Sequence, residues 1–436
     1  MSESRLSDRI RNGSARLTVI GQGYVGLPLA VEFARAGFAT TGLDTDLDRV
    51  TALNAGQSYT PDVDSEVLRA LVAQGRYEAT ADPAVLAASD AIIICVPTPL
   101  RKSKDPDISY VVAAAEQVAA HVRPGQLVIL ESTTYPGTTE ELLRPMLEAR
   151  GLRIGVDVFL AFSPERIDPA NGTFALADIP KVVGGITPAC SRMAALLYGQ
   201  VITRVLEVSS PKVAELAKLY ENTFRNVNIA LANEFAIMGR RLGVNIREVI
   251  EAAATKPFGF MPFYPGPGIG GHCIGIDPFY LAWTMRLTGY EFRFLHLADE
   301  INRSMPGYVV ERVAEALNER RTCLNGATVL VLGVAYKRGV ADVRESPALE
   351  IIATLREKGA EVSYADPQVP SVAVEGQVMK AVDVTDERLA ASDCVVIVTD
   401  HAEFDYPRIV ARARLVVDTR HVTWKLGLAS ERVVTL

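Results

Sequence analysis

The first half of the chain alternates short apolar runs with stretches whose apolar residues recur at helical spacing. The apolar runs predict strands at 16–20, 39–43, 91–96, 126–130 and 156–162. A helical stretch at 27–36 separates the first two strands and stops at Gly37. Such alternation is typical of a mostly parallel sheet with helices on both faces. The first fourteen residues are polar and charged, and we expect them to form a loose tail.

The last part of the chain repeats this plan. A strand at 327–332 ends at Gly333, a helix covers 347–358, and a strand at 361–364 leads to Asp366. The segment Ser-Asp-Ala-Ile-Ile-Ile-Cys-Val at 89–96 also resembles Ser-Asp-Cys-Val-Val-Ile-Val at 392–398. The similarity predicts a second doubly wound domain, although only the first carries a complete glycine fingerprint.

A helical segment lies between these two parts. Ser210 is a good N-cap, Pro211 suits the first helical position, and Gly243 fits the end of an uninterrupted run at 212–242. A second helix is predicted at 305–320, starting near Pro306. The chain is therefore expected to be an α/β protein. Two doubly wound, Rossmann-like domains, at 1–208 and 306–436, are joined by a long central helix and a helical middle domain at 209–305.

Composition excludes several classes of protein. The 436 residues are 49% hydrophobic and 22% charged, as in globular proteins, and the net charge of −7 is spread without a basic block. Nucleic-acid binding is therefore not expected, and no apolar run approaches the ~20 residues that span a bilayer. The five cysteines form no CxxC pair. We expect free thiols, a reducing cytoplasm and no metal ion.

A glycine fingerprint joins the first strand to the first helix. Gly21 allows a tight turn, Gly23 lets backbone amides approach a pyrophosphate, and Gly26 lets the helix pack close to the strand. Asp44 ends the second strand, where a carboxylate accepts ribose hydroxyls and repels a 2′-phosphate. The pattern predicts NAD; the alternative is a glycine-rich packing turn. Arg49, one turn beyond Asp44, either contacts the adenosine or is a solvated helix residue.

Polar residues also follow two later strands of the same predicted sheet. Ser132, Thr133 and Thr134 come after the strand at 126–130, and Glu165 comes after the strand at 156–162. Open α/β sheets bind ligands at the carboxyl ends of their strands. Thr133 could position a water or the nicotinamide, or the cluster could be ordinary turn chemistry.

One cysteine has an unusual setting. Residues 265–271 contain four glycines and two prolines just before Cys273, so few side chains crowd the thiol and a ligand could approach closely. A helix is predicted to start at Asp277 as N-cap and Pro278, and its dipole would favour the thiolate. Cys273 is thus a candidate nucleophile; otherwise it is a small buried apolar residue.

Two polar residues share one face of the predicted central helix. Lys218 and Asn222 stand four residues apart, with apolar neighbours at 216, 219, 220, 224 and 227. A cation among apolar residues needs a partner or a function. The two could hold an oxyanion, or they could be solvated polar residues.

Together these segments resemble the UDP-glucose/GDP-mannose dehydrogenase family over nearly the whole chain. The matching blocks are GQGYVGLPLA, CVPTPL, ESTTYPGTTEE, FSPERIDP, KLYENTFRNVNIALANE, PGPGIGGHCIGIDPFYL and GVAYKRGVADVRESPALE. Family members oxidise the 6-hydroxymethyl group of a UDP- or GDP-sugar to a carboxylate with two NAD and a cysteine nucleophile. The resemblance implies NAD binding by the first domain, dimerisation and catalysis in the middle domain, and UDP-sugar binding by the last.

The resemblance assigns roles to matching residues. The catalytic set is Cys273, Lys218, Asn222, Asp277, Glu165 and Thr133. The set that contacts NAD is Gly21, Gly23, Tyr24, Val25, Gly26, Asp44, Arg49, Val96, Thr98, Thr133 and Arg344. The set that contacts the nucleotide sugar is Glu165, Arg166, Lys218, Asn222, Tyr264, Gly270, Lys337 and Arg420. For Asp277, catalysis and helix capping are equally open and not exclusive. A homodimer or higher homo-oligomer is expected, with no membrane partner.

The substrate prediction is finer. Residues 256–264, His272 and the SPERIDP block at 163–169 resemble UDP-N-acetylglucosamine 6-dehydrogenases, whereas Gly275 and Gly339 depart from the common pattern. UDP-N-acetylmannosamine and UDP-glucose remain alternatives. A catalytically silent NAD or nucleotide-sugar sensor would have little need of the intact catalytic set, and a single-step hydroxyacid dehydrogenase would need no thiol and no second doubly wound domain.

Overall fold

The computed structural model describes residues 2–60, 62–101, 105–166, 175–271, 273–428 and 430–436. The chain forms two compact units. The first contains Met1–Glu221 and Phe279–Tyr290, and the second contains Asn222–Pro278 and Glu291–Leu436. The three domain boundaries expected from the sequence stay a prediction.

The first unit is built on a sheet of eight strands among the described residues. These are β1 Arg16–Ile20, β2 Ala39–Leu43, β3 Tyr77–Thr80, β4 Ala91–Ile94, β5 Leu127–Leu130, β6 Phe159–Phe162, β7 Lys181–Gly185 and β8 Val205–Val208. Their order is β3-β2-β1-β4-β5-β6-β7-β8, and every neighbouring pair is parallel except β6 with β7. The expected mostly parallel sheet is confirmed.

Helices cover both faces of this sheet, which is why strands β4, β5 and β6 are buried along their whole length. The helices are α1 Ser2–Arg11, α2 Gly26–Arg35, α3 Leu47–Asn54, α4 Ser65–Ala73, α5 Ser109–His121, α6 Arg144–Glu148 and α7 Pro188–Tyr198. The crossovers between β1 and β6 therefore return the chain to the same edge of the sheet, so the carboxyl ends of β1 to β6 line up there, whereas β7 and β8 run the opposite way.

The prediction of a loose tail at the N-terminus was wrong. Helix α1 buries Leu6 and Ile10, four residues apart on one face. Arg9, on the same helix, forms an ion pair with the buried Asp90 at 2.6 Å. Ser4, Arg5 and Asp8 of this helix face solvent, so the segment is polar although one face of it is buried.

The long helix α8, Pro211–Leu242, starts and ends as the sequence predicts. The hydroxyl of Ser210 accepts a hydrogen bond from the amide of Val213, and Gly243 adopts a left-handed φ of 68° after the last turn. The chain passes from the first unit to the second within this helix, between Glu221 and Asn222.

The remaining helices before the second sheet are α9 Ile246–Ala254, α10 Asp277–Leu287 and α11 Arg293–Glu319. The prediction that the last of these begins near Pro306 was wrong, because Pro306 lies inside it. A proline cannot donate to the carbonyl four residues earlier, that of Asn302. This carbonyl lies next to Gly268, where a Cβ would be 3.3 Å from the oxygen.

The second unit carries its own doubly wound sheet. Its strands are β9 Thr328–Leu332, β10 Glu361–Ala365, β13 Cys394–Ile397, β14 Val416–Asp418 and β15 Val433–Thr435. They are parallel in the order β10-β9-β13-β14-β15. Strands β11 Ser371–Val374 and β12 Gln377–Lys380 form a hairpin, and the helices are α12 Pro347–Glu357, α13 Asp386–Ala391, α14 Tyr406–Arg412 and α15 Val422–Lys425.

The predicted repeat extends to individual hydrogen bonds. In the first unit, the carboxylate of Asp90 accepts from the amide of Arg16 at 2.8 Å, which ties the start of β4 to the start of β1. In the second, Asp393 accepts from the amide of Thr328 at 2.9 Å in the same way. None of the helices in the described part of the chain is long and apolar enough to cross a bilayer.

Candidate functional site

The glycine turn after β1 is shaped by close backbone contacts. Gly21 has a φ of 87°, and a Cβ there would lie 2.6 Å from the carbonyl oxygen of Cys95. A Cβ on Gly26 would lie 1.8 Å from the carbonyl oxygen of Gly21. Gly23, in contrast, has open space where a Cβ would be. The first and third glycines are thus required by packing, and the second leaves room for a ligand.

Asp44 stands at the end of β2 beside this turn. One carboxylate oxygen accepts from the amide of Gln22 at 2.8 Å, and the other accepts from the amide of Asp46 at 3.0 Å. The guanidinium of Arg49 is 3.8 Å from Asp44 and lies over the ring of Tyr59 at 5.6 Å. Burial, reinforced by the charge of Asp44, raises the pKa of Tyr59 to about 12. Arg49 therefore stands beside the acid, although it is also half exposed.

The other residues predicted to contact NAD lie in two places. Tyr24 and Val25 lead from the turn into α2, while Val96 and Thr98 follow β4. The carbonyl of Thr98 accepts a hydrogen bond from the hydroxyl of Tyr280 at 2.9 Å. These residues belong to the first unit. Arg344 belongs to the second unit.

The second sheet has an acid at the position equivalent to Asp44, but the environment of this acid differs. The carboxylate of Asp366 accepts from the amides of Val334 at 2.7 Å and Ala335 at 3.0 Å and lies 3.1 Å from the buried ring of His401. Its other oxygen accepts from the amide of Gln368. These contacts tie Asp366 to the loop after β9 and to the buried His401, so the setting of this acid differs from that of Asp44.

Thr133 follows β5 in a segment that is held on both sides. The hydroxyl of Ser132 donates to the carbonyl of Val96 at 2.8 Å, which links the ends of β4 and β5. Farther on, the buried carboxylate of Glu215 on α8 accepts from the amide and the hydroxyl of Thr139, the latter at 2.7 Å. The half-buried Thr133 is thus fixed at the carboxyl edge of the sheet.

Lys218 lies one turn beyond Glu215 on α8 and is only 6% exposed. The interpretation of Lys218 as a solvated residue is therefore excluded. The expectation of apolar residues all around it was partly wrong, because Tyr220 is 70% exposed while Leu219 is buried. Tyr220 stands two positions from Lys218, and residues at this spacing face nearly opposite sides of a helix, which accounts for the exposure of Tyr220.

Asn222 and Asp277 meet within the second unit. The side-chain amide of Asn222 donates to a carboxylate oxygen of Asp277 at 2.6 Å. Four residues along the helix, the amide of Asn226 donates to the carbonyl of Ile274 at 3.0 Å. Asp277, the predicted N-cap, is the first residue of α10, so the helix begins one residue earlier than predicted. The amide of Asp277 donates to the carbonyl of Cys273 at 2.8 Å. The cysteine loop is thereby attached to α8.

Cys273 is a half-buried thiol at the end of the glycine loop and forms no disulfide. The amide of Gly271 donates to the carbonyl of Arg344 at 3.1 Å. The ring of Tyr336 packs on the same glycines: a Cβ on Gly271 would lie 2.8 Å from it, and a Cβ on Gly270 would lie 2.7 Å from the Cβ of Tyr336. These glycines therefore admit a neighbouring protein segment, a contact that the sequence analysis did not anticipate.

The predicted nucleotide-sugar residues are spread over both units. In the first, Arg166 pairs with Glu221 at 2.9 Å. In the second, the half-buried Lys337 follows β9. Arg420 follows β14 and approaches Gly266, where a Cβ would lie 3.1 Å from its guanidinium. The ring of Tyr264 lies 4.3 Å beneath the guanidinium of Arg247.

Glu165 follows β6 and is 9% exposed, and it lies in a buried cluster that the sequence analysis missed. Lys181, at the start of β7, contacts Glu131 and is 4.0 Å from Glu165. The hydroxyl of Tyr198 donates to Glu131. Glu131 directly follows a buried strand, which was the one visible signal, but nothing local indicated its partners, 50 and 67 residues away.

Comparison with known proteins identifies this arrangement. Three profiles of the UDP-glucose/GDP-mannose dehydrogenase family match in order: the NAD binding domain at residues 15–202, the central domain at 212–304 and the UDP binding domain at 330–425. The chain belongs to the UDP-glucose/GDP-mannose dehydrogenase family. It is an oxidoreductase that acts on an alcohol with NAD as acceptor.

Individual relatives agree with this family. The chain is 39% identical to a UDP-N-acetyl-D-glucosamine 6-dehydrogenase of Pseudomonas aeruginosa over 81% of this chain and 83% of the relative. It is 37% identical to a UDP-N-acetyl-D-mannosamine dehydrogenase of Pyrococcus horikoshii over 89% and 90%, respectively. A solved structure of the UDP-D-ManNAc dehydrogenase from Pyrococcus horikoshii matches with a TM-score of 0.85 and 35% identity over 96% of this chain and 97% of that one.

For this dehydrogenase, the first unit has what NAD requires. The space over Gly23, the amino end of α2 and the carboxylate of Asp44 lie along one edge of the sheet. Two features used for the substrate prediction, His272 and residues 167–169 of the SPERIDP block, fall outside the described residues.

Proposed function

We propose that this protein oxidises the C6 hydroxymethyl group of a UDP-sugar to a carboxylate, using two NAD and a covalent intermediate on Cys273. The supporting observation is the attachment of the cysteine loop to α8. Asp277 donates its amide to the carbonyl of Cys273 and accepts the amide of Asn222, so the thiol and the proposed oxyanion donor are held through one residue. A positioned thiol is what nucleophilic catalysis on an aldehyde requires.

The proposed substrate is UDP-N-acetylglucosamine. Residues 256–264 support it by their resemblance to enzymes of that specificity, and a relative with 39% identity bears that name. UDP-N-acetylmannosamine is the second candidate, because a relative with 37% identity and longer coverage is named for it. UDP-glucose is the third. Lys337, Arg420, Tyr264, Gly270 and Arg166 are the proposed contacts of the nucleotide sugar.

In the first half of the reaction, the chain's residues bind and orient the alcohol and remove its proton. Bound NAD supplies the hydride acceptor, which is used twice per turnover. We assign its contacts to the glycine turn, Tyr24, Val25, Asp44, Arg49, Val96, Thr98, Thr133 and Arg344. A water held by Asp277 and Thr133 takes the hydroxyl proton, and Lys218 and Asn222 stabilise the developing negative charge on the sugar oxygen.

In the second half, the thiolate of Cys273 adds to the aldehyde carbon and gives a thiohemiacetal. This adduct has a C–H bond from which a second hydride can leave, and its loss produces a thioester. Glu165 then accepts a proton from water as the water oxygen attacks the carbonyl carbon. The carbon–sulfur bond breaks, the sulfur leaves as a thiolate, and the uronic acid is released.

Two further assignments complete the proposal. The protein acts in a reducing cytoplasm, in keeping with its five free cysteines. It is a homodimer or larger homo-oligomer assembled through α8, and the middle domain carries this contact. Apolar residues recur on the helix at intervals of three, four or seven and are exposed in the single chain: Val213, Leu216, Tyr220, Phe224, Leu231, Phe235, Met238 and Leu242. A second copy of the same stripe is the partner that such a helix fits.

The decisive experiment measures NADH formed per sugar consumed with a panel of UDP- and GDP-sugars. Two NADH per UDP-N-acetylglucosamine, with the uronic acid as product, is the expected result. One NADH with an aldehyde product would exclude the thioester route, and binding without any NADH would favour a sensor. Faster turnover of UDP-N-acetylmannosamine would move the substrate assignment to the second candidate.

A further inference from the structure

The first unit buries four ionisable side chains at one place, next to the carboxyl ends of β5 and β6. The exposed fractions are 1% for Glu131, 5% for Lys181, 9% for Glu165 and 0% for Tyr198. Burying charged groups is costly, and an apolar set of similar volume is often as stable or more so. The cluster is therefore not explained by stability alone.

Within the cluster, Glu131 and Tyr198 hold the ammonium group of Lys181 in place. The ammonium group of Lys181 contacts one oxygen of Glu131, and the hydroxyl of Tyr198 donates to the other. Lys181 also lies 5.0 Å above the ring of Tyr198. Both oxygens of Glu131 thus have a partner, and the cation is held between the carboxylate and the ring.

The same cation faces the proposed base. Lys181 Nζ is 4.0 Å from Glu165 Oε2, so a single ammonium serves two carboxylates. Burial raises the pKa of Glu131, an effect that Lys181 opposes, and the two carboxylates raise the pKa of Lys181 against the effect of its burial. Lys181 therefore stays charged beside Glu165. At this distance in a buried site, the ammonium attracts the carboxylate of Glu165 and restricts its orientation.

We propose that Lys181, held by Glu131 and Tyr198, is a positioning residue that orients the carboxylate of Glu165 toward the water that hydrolyses the thioester. The inference rests on the proposed function, because it assigns Glu165 its role there. Water gives its proton to Glu165, its oxygen bonds to the acyl carbon, and the sulfur of Cys273 leaves as a thiolate. Lys181 contributes charge and keeps all its protons.

Two other titratable groups face the cluster, and the variants used in the test should leave them unchanged. Cys95, at the end of β4, is buried, and burial raises the pKa of its thiol, so it contributes no charge. Lys218, on α8, acts electrostatically on Cys95 and is the second cation near the cluster. Substitutions at Lys181 and Glu131 leave both of these groups in place.

The test compares charge-matched variants. In Lys181→Met/Glu131→Gln, the buried pair is replaced by two neutral side chains, so no isolated charge remains in the interior. We expect kcat to fall about tenfold or more at a nearly unchanged KM for the UDP-sugar, and the thioester adduct to accumulate in the mass of the quenched protein. Lys181→Arg, which keeps the cation, should retain most of kcat and show no accumulated adduct, and Glu131→Gln alone should cause a smaller loss of kcat.

A second pair of variants covers a failure of the double variant to fold. Tyr198→Phe removes one hydroxyl and leaves Glu131 to draw Lys181 away from Glu165, so a smaller fall in kcat is expected, with partial accumulation of the thioester. Its control is Tyr364→Phe in the second unit, which removes a buried hydroxyl bonded to the carbonyl of Val369. Equal kcat values for these two variants, or a double variant with wild-type kcat and no accumulated thioester, would overturn the inference. A wild-type enzyme that forms no thioester at all would instead contradict the proposed function.

Discussion

The side-chain amide of Asn222 donates a 2.6 Å hydrogen bond to the carboxylate of Asp277. In Asn222→Asp, two carboxylates would occupy this contact, and they could remain close only by sharing a proton. The folded variant would then bind that proton more tightly than the unfolded chain, so its stability should be greatest at low pH and fall as pH rises. We expect a loss of about 2 kcal/mol at neutral pH, measured by thermal unfolding.

The matched control is Asn228→Asp. Asn228 lies on the same helix, is also half-buried, and donates its amide to the carbonyl of Phe224 within the helix. It should show little dependence on pH. If both variants lost stability in parallel across the pH range, the contact between Asn222 and Asp277 would not be the cause.

Replacement of Cys273 by serine should abolish formation of the uronic acid. A hydroxyl is a far weaker nucleophile than a thiolate, and loss of a nucleophile lowers kcat by on the order of 10³-fold or more. The measurement is product analysis together with NADH formed per sugar. Cys323→Ser is the control, because Cys323 is a free, exposed thiol of the same unit. Full turnover by the Cys273 variant would discard the nucleophile assignment.

Asp44→Asn should weaken NAD binding. The variant loses a charged hydrogen-bond acceptor for the ribose, a contribution of about 1.5–3 kcal/mol, so the KM for NAD should rise roughly 10- to 100-fold. Discrimination against NADP should fall as well, because the repulsion of a 2′-phosphate is removed. The KM for the UDP-sugar provides the internal reference. An unchanged KM for NAD would place the adenosine elsewhere.

Asp366→Asn tests the different role of the equivalent acid in the second unit. Burial alone would raise the pKa of Asp366, but hydrogen bonds from His401 and backbone amides outweigh burial and lower it. A lowered pKa in the folded state means stability that is present above the unfolded value, near 4, and is lost as pH falls through the folded value. At neutral pH, the free energy of unfolding of the variant should be about 1–3 kcal/mol lower than that of the wild type, and this difference should become smaller at acid pH.

Thermal unfolding over a pH series measures this effect, with the exposed Asp383→Asn as control. The KM for NAD should not change in the Asp366 variant, in contrast to the Asp44 variant. A rise in that KM would mean that the second acid also contacts the dinucleotide.

Leu231→Lys on α8 should dissociate the proposed oligomer. A charge placed in an apolar contact between two copies loses solvation without gaining a partner. Molar mass from light scattering should fall toward that of one chain. Val378→Lys, an equally drastic change at an exposed apolar residue of β12, should leave the mass unchanged. A monomeric wild type would refute the assembly outright.

Local patterns were sufficient for most of the fold. The strands near Val19, Ile93 and Val396 are short apolar runs bounded by glycine or aspartate, and such runs are visible without knowledge of their neighbours. The failures came where tertiary packing decides. Leu6 and Ile10 are too few to reveal a helix until their burial is known. Pro306 lies inside a helix although it has no amide to donate to the carbonyl of Asn302, and that carbonyl lies next to Gly268 instead.

Part of the candidate site is visible in the sequence. The glycine turn with Asp44 and the cysteine loop are local patterns that can be found by sequence spacing. The partners of Glu165 and of the glycine loop cannot be found in this way, because Lys181 and Tyr336 lie far along the chain and each occupies an ordinary position in its own segment.

The packing of Tyr336 on Gly271 has a consequence for protein engineering. The loop that carries the thiol is held in place by residues of the C-terminal segment. A hybrid that takes residues 306–436 from another enzyme would therefore pack this loop against side chains from that other enzyme. Specificity swaps within this family should therefore exchange 265–273 together with the C-terminal segment, even though more than sixty residues separate Gly271 from Tyr336 along the chain.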